Sequence, residues 1–220
     1  GNKMTIQLSD NYPKLVKDLF LFDKQQQSHT GNLTPAEVLQ QVAHMQVELP
    51  FEYDVVALLK EAQRLPMDSS KVKRCYVYGP VGDNDPRCDL IDSTAKDYEY
   101  KIDITSFPNI KKFIEDANHI GQLTYITFKQ MAPQGYIMPH QDSECNPYKI
   151  YLPLEWPQGC YFKIYKKGVI PFEVGKPFFV NTGEHIHSVV NDSNENRMIF
   201  SFYVDWNTKG WQKVLKDSHD

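Results

Sequence analysis

Hydrophobic residues along this chain follow two different spacings. In the first third they recur at helical intervals. Residues 11–22 carry a Leu15, Val16, Leu19, Phe20 face, and residues 34–49 open on Thr34-Pro35-Ala36-Glu37, a hydroxyl, an early proline and a carboxylate placed as at a helix start. Residues 51–65 repeat the helical pattern more weakly. Between Met67 and Ile104 the period is lost among Gly79-Pro80, Gly82, Asp83, Asn84, Asp85 and Pro86. This stretch predicts long loops around a short strand at 74–78, either a lid or binding element or plain irregular surface.

After Phe107 a short amphipathic helix at 109–118 gives way to alternation. Strands are predicted at 122–130, 136–138, 148–154, 161–165, 172–174, 178–181, 187–190 and 197–204, each bounded by turn residues. Short strands in this density suggest a jelly roll or barrel rather than an α/β sheet. The fold class expected is therefore mainly β with N-terminal helices. We expect one domain over 1–220: a helical or mixed part at 1–106 packed on the barrel, a barrel core at 107–206 and a tail at 207–220.

Composition adds little to the fold but narrows the function. Aromatic residues make up 13% of the chain, which suits strands, and 41% of residues are hydrophobic, enough for a sizeable core. The net charge of −4 comes from interspersed acids and bases, so charge gives no support for a nucleic-acid partner. No run of the sequence is apolar for long enough to suggest a membrane span, and the start shows no secretory signal pattern, so a cytoplasmic location is expected. Cys75, Cys88, Cys145 and Cys160 show no CxxC spacing and are read as reduced structural thiols.

Candidate chemistry begins at Met138-Pro139-His140-Gln141-Asp142. In extended chain, residues i and i+2 point to one side, so the imidazole of His140 and the carboxylate of Asp142 can share a metal. A second histidine comes from Gly183-Glu184-His185-Ile186-His187. His185 and His187 have the same strand parity, so alternation leaves both open. Two imidazoles and a carboxylate on one face, with positions left free, are what iron(II) needs to take a bidentate co-substrate and admit oxygen. Arg197 follows His187 across the polar turn Asn191 to Asn196, on a strand that would return antiparallel to the histidine strand. There a guanidinium can grip a carboxylate bidentately. By alternation Arg197, Ser201 and Tyr203 share one face of this strand, and Met198, Phe200, Phe202 and Val204 the other.

The order His140-x-Asp142, His187, Arg197 resembles that of the 2-oxoglutarate/iron(II) dioxygenases, whose fold is a double-stranded β-helix. More narrowly, His187-Ser-Val-Val-Asn191 through Arg197, followed by a hydrophobic strand and Asp205-Trp206, is similar to the aspartyl/asparaginyl β-hydroxylase group. That resemblance selects His187 over His185 and extends over roughly the last hundred residues, taking in Phe107-Pro108, Gly135 and Tyr151-Leu152-Pro153-Leu154. It implies iron(II) on His140, Asp142 and His187, and 2-oxoglutarate as co-substrate with Arg197 on its distal carboxylate. It further implies Ser201, Lys149 and Tyr151 as additional co-substrate contacts, and O2 as the oxidant. The reaction implied is hydroxylation of an amino-acid or peptidyl side chain with release of succinate and CO2. The chain departs from the narrower group in carrying Lys149 and Tyr151 where an arginine and a histidine are usual, and in offering Asp142 where several members lack a carboxylate. Two alternatives share the barrel: a cupin-type metalloenzyme that does not use 2-oxoglutarate, and a non-catalytic binding module. Tyr136, Gln141, Tyr148, Tyr151 and Trp156 are the candidates for the mouth of the site, where a small molecule or peptide would be recognised.

Overall fold

The computed structural model describes residues 6–21, 42–84, 97–142, 149–205 and 208–219. In chain order its elements are α1 (Lys14–Leu21), β1 (His44–Gln46), α2 (Val55–Ala62), β2 (Lys73–Pro80), β3 (Tyr98–Tyr100), a single 3-10 turn (Ile104–Ser106), α3 (Pro108–Ile120), β4 (Leu123–Met131), β5 (Tyr136–His140), β6 (Lys149–Glu155), β7 (Cys160–Ile164), β8 (Gly168–Val169), β9 (Phe178–Val180), β10 (His187–Asn191), β11 (Arg197–Val204) and α4 (Lys209–His219).

The strands form two sheets. The larger runs β1-β9-β6-β11-β4-β2-β3 and the smaller β5-β10-β7-β8, with antiparallel pairing throughout. Facing one another, they make the double-stranded β-helix expected for this pattern. The parity of β11 explains how the layers assemble. Met198, Phe200, Phe202 and Val204 join Phe128, Phe113, Ile114, Leu58 and Trp211 in a core between the large sheet and α2, α3 and α4. The opposite face of β11 looks into the barrel, where Ile199 packs with Tyr151, Phe162, Phe172, Phe178 and Val189. A third cluster, of Ile6, Tyr12, Val16, Phe20 and Val190, seats α1 on the outer face of the small sheet.

Two capping contacts fix the helices. The Asp54 carboxylate accepts from the Ala57 amide at 3.0 Å, and the buried Glu61 carboxylate accepts from the Asn109 and Ile110 amides at the start of α3. Each supplies a partner to amides that the helix itself leaves free.

Several expectations are corrected. The helix at 34–49 fails where it is described: His44–Gln46 is a strand, paired with Phe178–Val180 at the edge of the large sheet. Tertiary pairing overrides a helical spacing there; residues 34–41 lie outside the described residues. No strand forms at 172–174. Pro171 has no amide to donate and Gly175 turns with φ 82°, so Phe172 instead drops its ring between Trp156, Phe162 and Phe178. The tail contains α4, anchored by the buried Trp211, whose indole donates to the Gly121 carbonyl at 2.9 Å. The strand expected at 74–78 is longer and gains β3 as its neighbour. Cys75 and Cys160 are buried free thiols; Cys88 and Cys145 lie outside the described residues. No helix among the described residues is long and apolar enough to cross a membrane.

Candidate metal and co-substrate site

Strand pairing builds the site. β10 lies against β5 in a register that places His187 directly opposite His140, so both imidazoles enter the barrel at the same level, with ring centroids 4.3 Å apart. Just past the end of β5 the Asp142 amide donates to the Thr182 carbonyl at 3.0 Å, which turns the Asp142 carboxylate back toward the two rings. Its Oδ1 lies 3.3 Å from His140 Nε2 and 3.5 Å from His187 Nε2. One donor atom from each of the three residues falls within 4.8 Å of the others.

The other ring nitrogens decide what these donors are. His140 Nδ1 is 2.7 Å from the Met138 carbonyl and His187 Nδ1 is 2.9 Å from the His185 carbonyl. A carbonyl only accepts, so each Nδ1 carries a proton, which leaves each Nε2, beside Asp142, as the ring atom able to offer a lone pair to a metal. Burial pushes the His187 pKa down, against the pull of the Asp142 carboxylate, which favours the neutral ring. The Asp142 carboxyl would be raised by burial, but Lys149 and the two imidazoles hold it well below the usual carboxylate range. Three electron-pair donors thus converge on one point, an arrangement that a divalent cation stabilises. Two nitrogens and one oxygen on one face fit iron(II), and the backbone carbonyls behind both rings are the outer partners that fix such ligands. Phe162 stacks on the His187 ring at 5.6 Å and 9°. Side-chain exposure rises from 3% at His187 through 12% at Asp142 to 43% at His140, so the cluster opens to solvent on the His140 side.

Buried cations lie in the barrel beyond these candidate donors. Lys149 on β6 is buried, with its Nζ 3.4 Å from Asp142 Oδ2. Burial would lower its pKa, but Tyr151, Tyr203 and Asp142 hold it above the usual value, so it stays an ammonium. Arg197 is buried at the start of β11 with its Cζ 5.9 Å from the Trp156 ring, and its Nε and Nη2 have no hydrogen-bond partner. Ser201 lies between Tyr151 on β6 and Thr127 on β4, and the buried Thr127 hydroxyl is likewise unpartnered. An orphaned buried guanidinium is expensive unless an anion arrives to use it.

The structure therefore brings His140, Asp142, His187, Lys149, Tyr151, Ser201 and Arg197 into one barrel interior. His185 stays out of the donor cluster; its Nε2 is buried and unpartnered, and its carbonyl orients His187. Gln141 sits at the rim, donating to the Gly183 carbonyl at 2.7 Å, and Trp156 covers Arg197. Tyr136 is not at the mouth. It packs edge-on against Tyr12 on the outer face of the small sheet, under the Lys71 ammonium. Tyr148 lies outside the described residues.

Lys129 is the residue that sequence reasoning missed. It pairs with Ile199 across β4 and β11, on the interior face of the sheet. Burial pushes its pKa well down; Lys149, Arg74 and Arg197 push it further, and Asp142 alone opposes them. The available signal was a lysine at the inward parity of the strand Leu123–Met131, in step with Thr127.

Comparison with known proteins accords with this geometry. The model of the aspartyl/asparaginyl β-hydroxylase family matches residues 55–206. The chain belongs to the aspartyl/asparaginyl β-hydroxylase family. It is accordingly a 2-oxoglutarate- and iron(II)-dependent hydroxylase by class. A comparison with curated proteins found no match. Among solved structures, a 2OG-Fe(II) oxygenase family oxidoreductase from Burkholderia pseudomallei aligns with TM-score 0.54 at 12% identity, over 85% of this chain and 97% of its own. A prolyl hydroxylase from Trichoplax adhaerens, in complex with a peptide fragment of the hypoxia inducible factor oxygen degradation domain, aligns with TM-score 0.51 at 10% identity, over 80% and 91%. HygX from Streptomyces hygroscopicus, with nickel and 2-oxoglutarate bound, aligns with TM-score 0.50 at 11% identity, over 77% and 86%. At these identities the likeness is one of fold.

Proposed function

We propose that this hydroxylase holds iron(II) on His140, Asp142 and His187, and receives 2-oxoglutarate with its distal carboxylate on Arg197, at the far end of the same barrel. The observation that carries the reading is the buried Arg197 guanidinium with two unpartnered nitrogens, in a barrel whose other end carries three converging metal donors. A cupin-type enzyme with no dicarboxylate to bind would leave that charge uncompensated.

Iron(II), when bound, supplies oxygen activation coupled to the oxidative decarboxylation of 2-oxoglutarate to succinate and CO2. The protein's own residues bind, orient and desolvate. Arg197 pairs with the distal carboxylate, and the Ser201 and Thr127 hydroxyls donate from the neighbouring row. Lys129 adds a second basic group near Arg197, and an anion arriving there raises the lysine pKa that burial and the neighbouring cations depress. Lys149 stays with Asp142: it neutralises the carboxylate oxygen that faces away from the histidines and keeps the carboxyl ionised. Phe162 and Trp156 wall off water around His187 and Arg197. The substrate class is an amino-acid or peptidyl side chain, approaching on the exposed His140 side.

The test is succinate formation from 2-oxoglutarate by iron-loaded protein under oxygen, with no added substrate, comparing the native chain with His140→Ala and Arg197→Ala. Slow turnover abolished by both changes supports the reading. Metal bound without any affinity for 2-oxoglutarate overturns it.

A further inference from the structure

A groove adjoins the metal donors and shares His140 with them. The groove, of about 700 Å³, runs between α1 and the rim of the small sheet, lined by Leu15, Asp18 and Leu19 on one side and Pro139, His140, Tyr165 and Ile186 on the other. It is largely apolar, and two of its walls carry large side chains left open to solvent, Leu15 at 58% and Ile186 at 41% exposure. Helical spacing accounts for its shape. Val16, Leu19 and Phe20 are the buried face of α1, while Leu15, Asp18 and Leu19, at i, i+3 and i+4, form an adjacent stripe that borders the groove. Leu15 and Ile186 are thus two exposed apolar side chains that border one concavity from opposite sides. Exposed apolar surface concentrated at a concavity marks a binding site more often than an accident of composition.

Two further observations say what binds. The groove is continuous with the site, because His140 is at once the most exposed metal donor and part of its wall. Its other wall, α1, lies outside residues 55–206, the span that the family model matches. A free amino acid presenting its side chain to the donors would leave a cavity of this size empty. A peptide would not: with one side chain at the donors, its neighbours cross the rim at His140 and lie over Leu15 and Ile186.

We propose that this groove is the docking subsite for a peptide substrate, and that it selects an apolar side chain flanking the residue to be oxidised. The inference rests on the proposed function, since it takes the His140 side as the approach to the donors. Gln141, held to the Gly183 carbonyl at the rim, and Asp18 are placed to meet the backbone amides of the bound segment.

The experiment uses the full chain loaded with iron(II) and 2-oxoglutarate, and two panels of short synthetic peptides centred on Asp or Asn, the residues in the family's name. One panel carries Leu or Phe at flanking positions and the other Ser or Gly. Hydroxylation is read by mass, and binding by fluorescence anisotropy on manganese-loaded protein. The apolar panel is expected to bind and react at least about tenfold better, the scale of one buried leucine side chain. Leu15→Asp is expected to erase most of that preference, and Leu15→Phe to shift it toward smaller flanking residues; melting and metal content show that both are folded. Hydroxylation indifferent to the flanking residue, a preference unchanged by Leu15→Asp, or reaction with free amino acids alone overturns the groove assignment and leaves the proposed function standing. If neither peptides nor 2-oxoglutarate alone yield succinate, the proposed function fails first.

Discussion

Replacing Arg197 by methionine separates what this residue does for the empty protein from what it does for the ligand. In the free protein its Nε and Nη2 are buried and unpartnered. Leaving buried donors unsatisfied costs about 1–3 kcal/mol, while the stem packing and the contact with Trp156 at 5.9 Å return about 0.5–1 kcal/mol. Methionine keeps most of the stem, so the variant should be more stable than the native chain by about 1 kcal/mol, or roughly 2–4 °C for a domain of this size. Ligand binding should move the other way. Two charge-assisted hydrogen bonds lost amount to at least about 3 kcal/mol, roughly 150-fold in Kd. With 2-oxoglutarate at about a hundred times the native Kd, the native protein gains about 2.7 kcal/mol, whereas the variant, then below its own Kd, gains about 0.3 kcal/mol. The assay is calorimetric melting of manganese-loaded protein with and without 2-oxoglutarate. A variant that melts higher alone and barely responds to the ligand fits the reasoning. One that keeps the full ligand shift, or that melts many degrees lower when empty, refutes it.

Metal content should fall to background in His187→Ala and survive in His185→Ala, because His185 contributes only a backbone carbonyl, which the alanine variant retains; the reverse pattern would put His185, and not His187, on the metal. Lys129→Met should weaken 2-oxoglutarate binding about tenfold, the scale of one charge-assisted contact, as read by calorimetric titration. Lys129 also leaves a signature in pH. Burial and three neighbouring cations depress its folded pKa, so between that value and the unfolded lysine pKa the unfolded chain binds more protons and stability rises with pH. That component of the slope should be missing in Lys129→Met and diminished once 2-oxoglutarate holds the ammonium charged. Burial raises the thiols of Cys75 to about 11 and Cys160 to about 12, so both should resist thiol reagents at pH 8 until the protein is denatured.

The barrel was legible because its signal is local. Alternation in β11 assigns Met198, Phe200, Phe202 and Val204 to one core and Arg197, Ser201 and Tyr203 to the other face, and the two cores divide along that parity. The site was legible in part for the same reason: His140 and Asp142 are two residues apart on nearly extended chain. Parity could not choose between His185 and His187, because their difference lies in the register of β10 against β5, a long-range fact. Lys129 was missed because a lysine near the end of a strand is ordinarily a solvated one, and only closure of the barrel turns it inward among cations. The spacing of residues 44–46 was misread because edge pairing with β9, supplied by a strand more than a hundred residues later, decides their conformation. Phe172 reads as a strand residue because a buried aromatic looks the same in sequence whether it comes from a ladder or from a loop.

The most direct test of the central claim is the visible spectrum of the iron(II)-loaded protein as 2-oxoglutarate is added without oxygen. The account predicts a charge-transfer band that grows to one equivalent of 2-oxoglutarate and is absent in His140→Ala. Protein that demonstrably holds both iron and 2-oxoglutarate yet shows no band would contradict the claim that the co-substrate meets a metal on His140, Asp142 and His187.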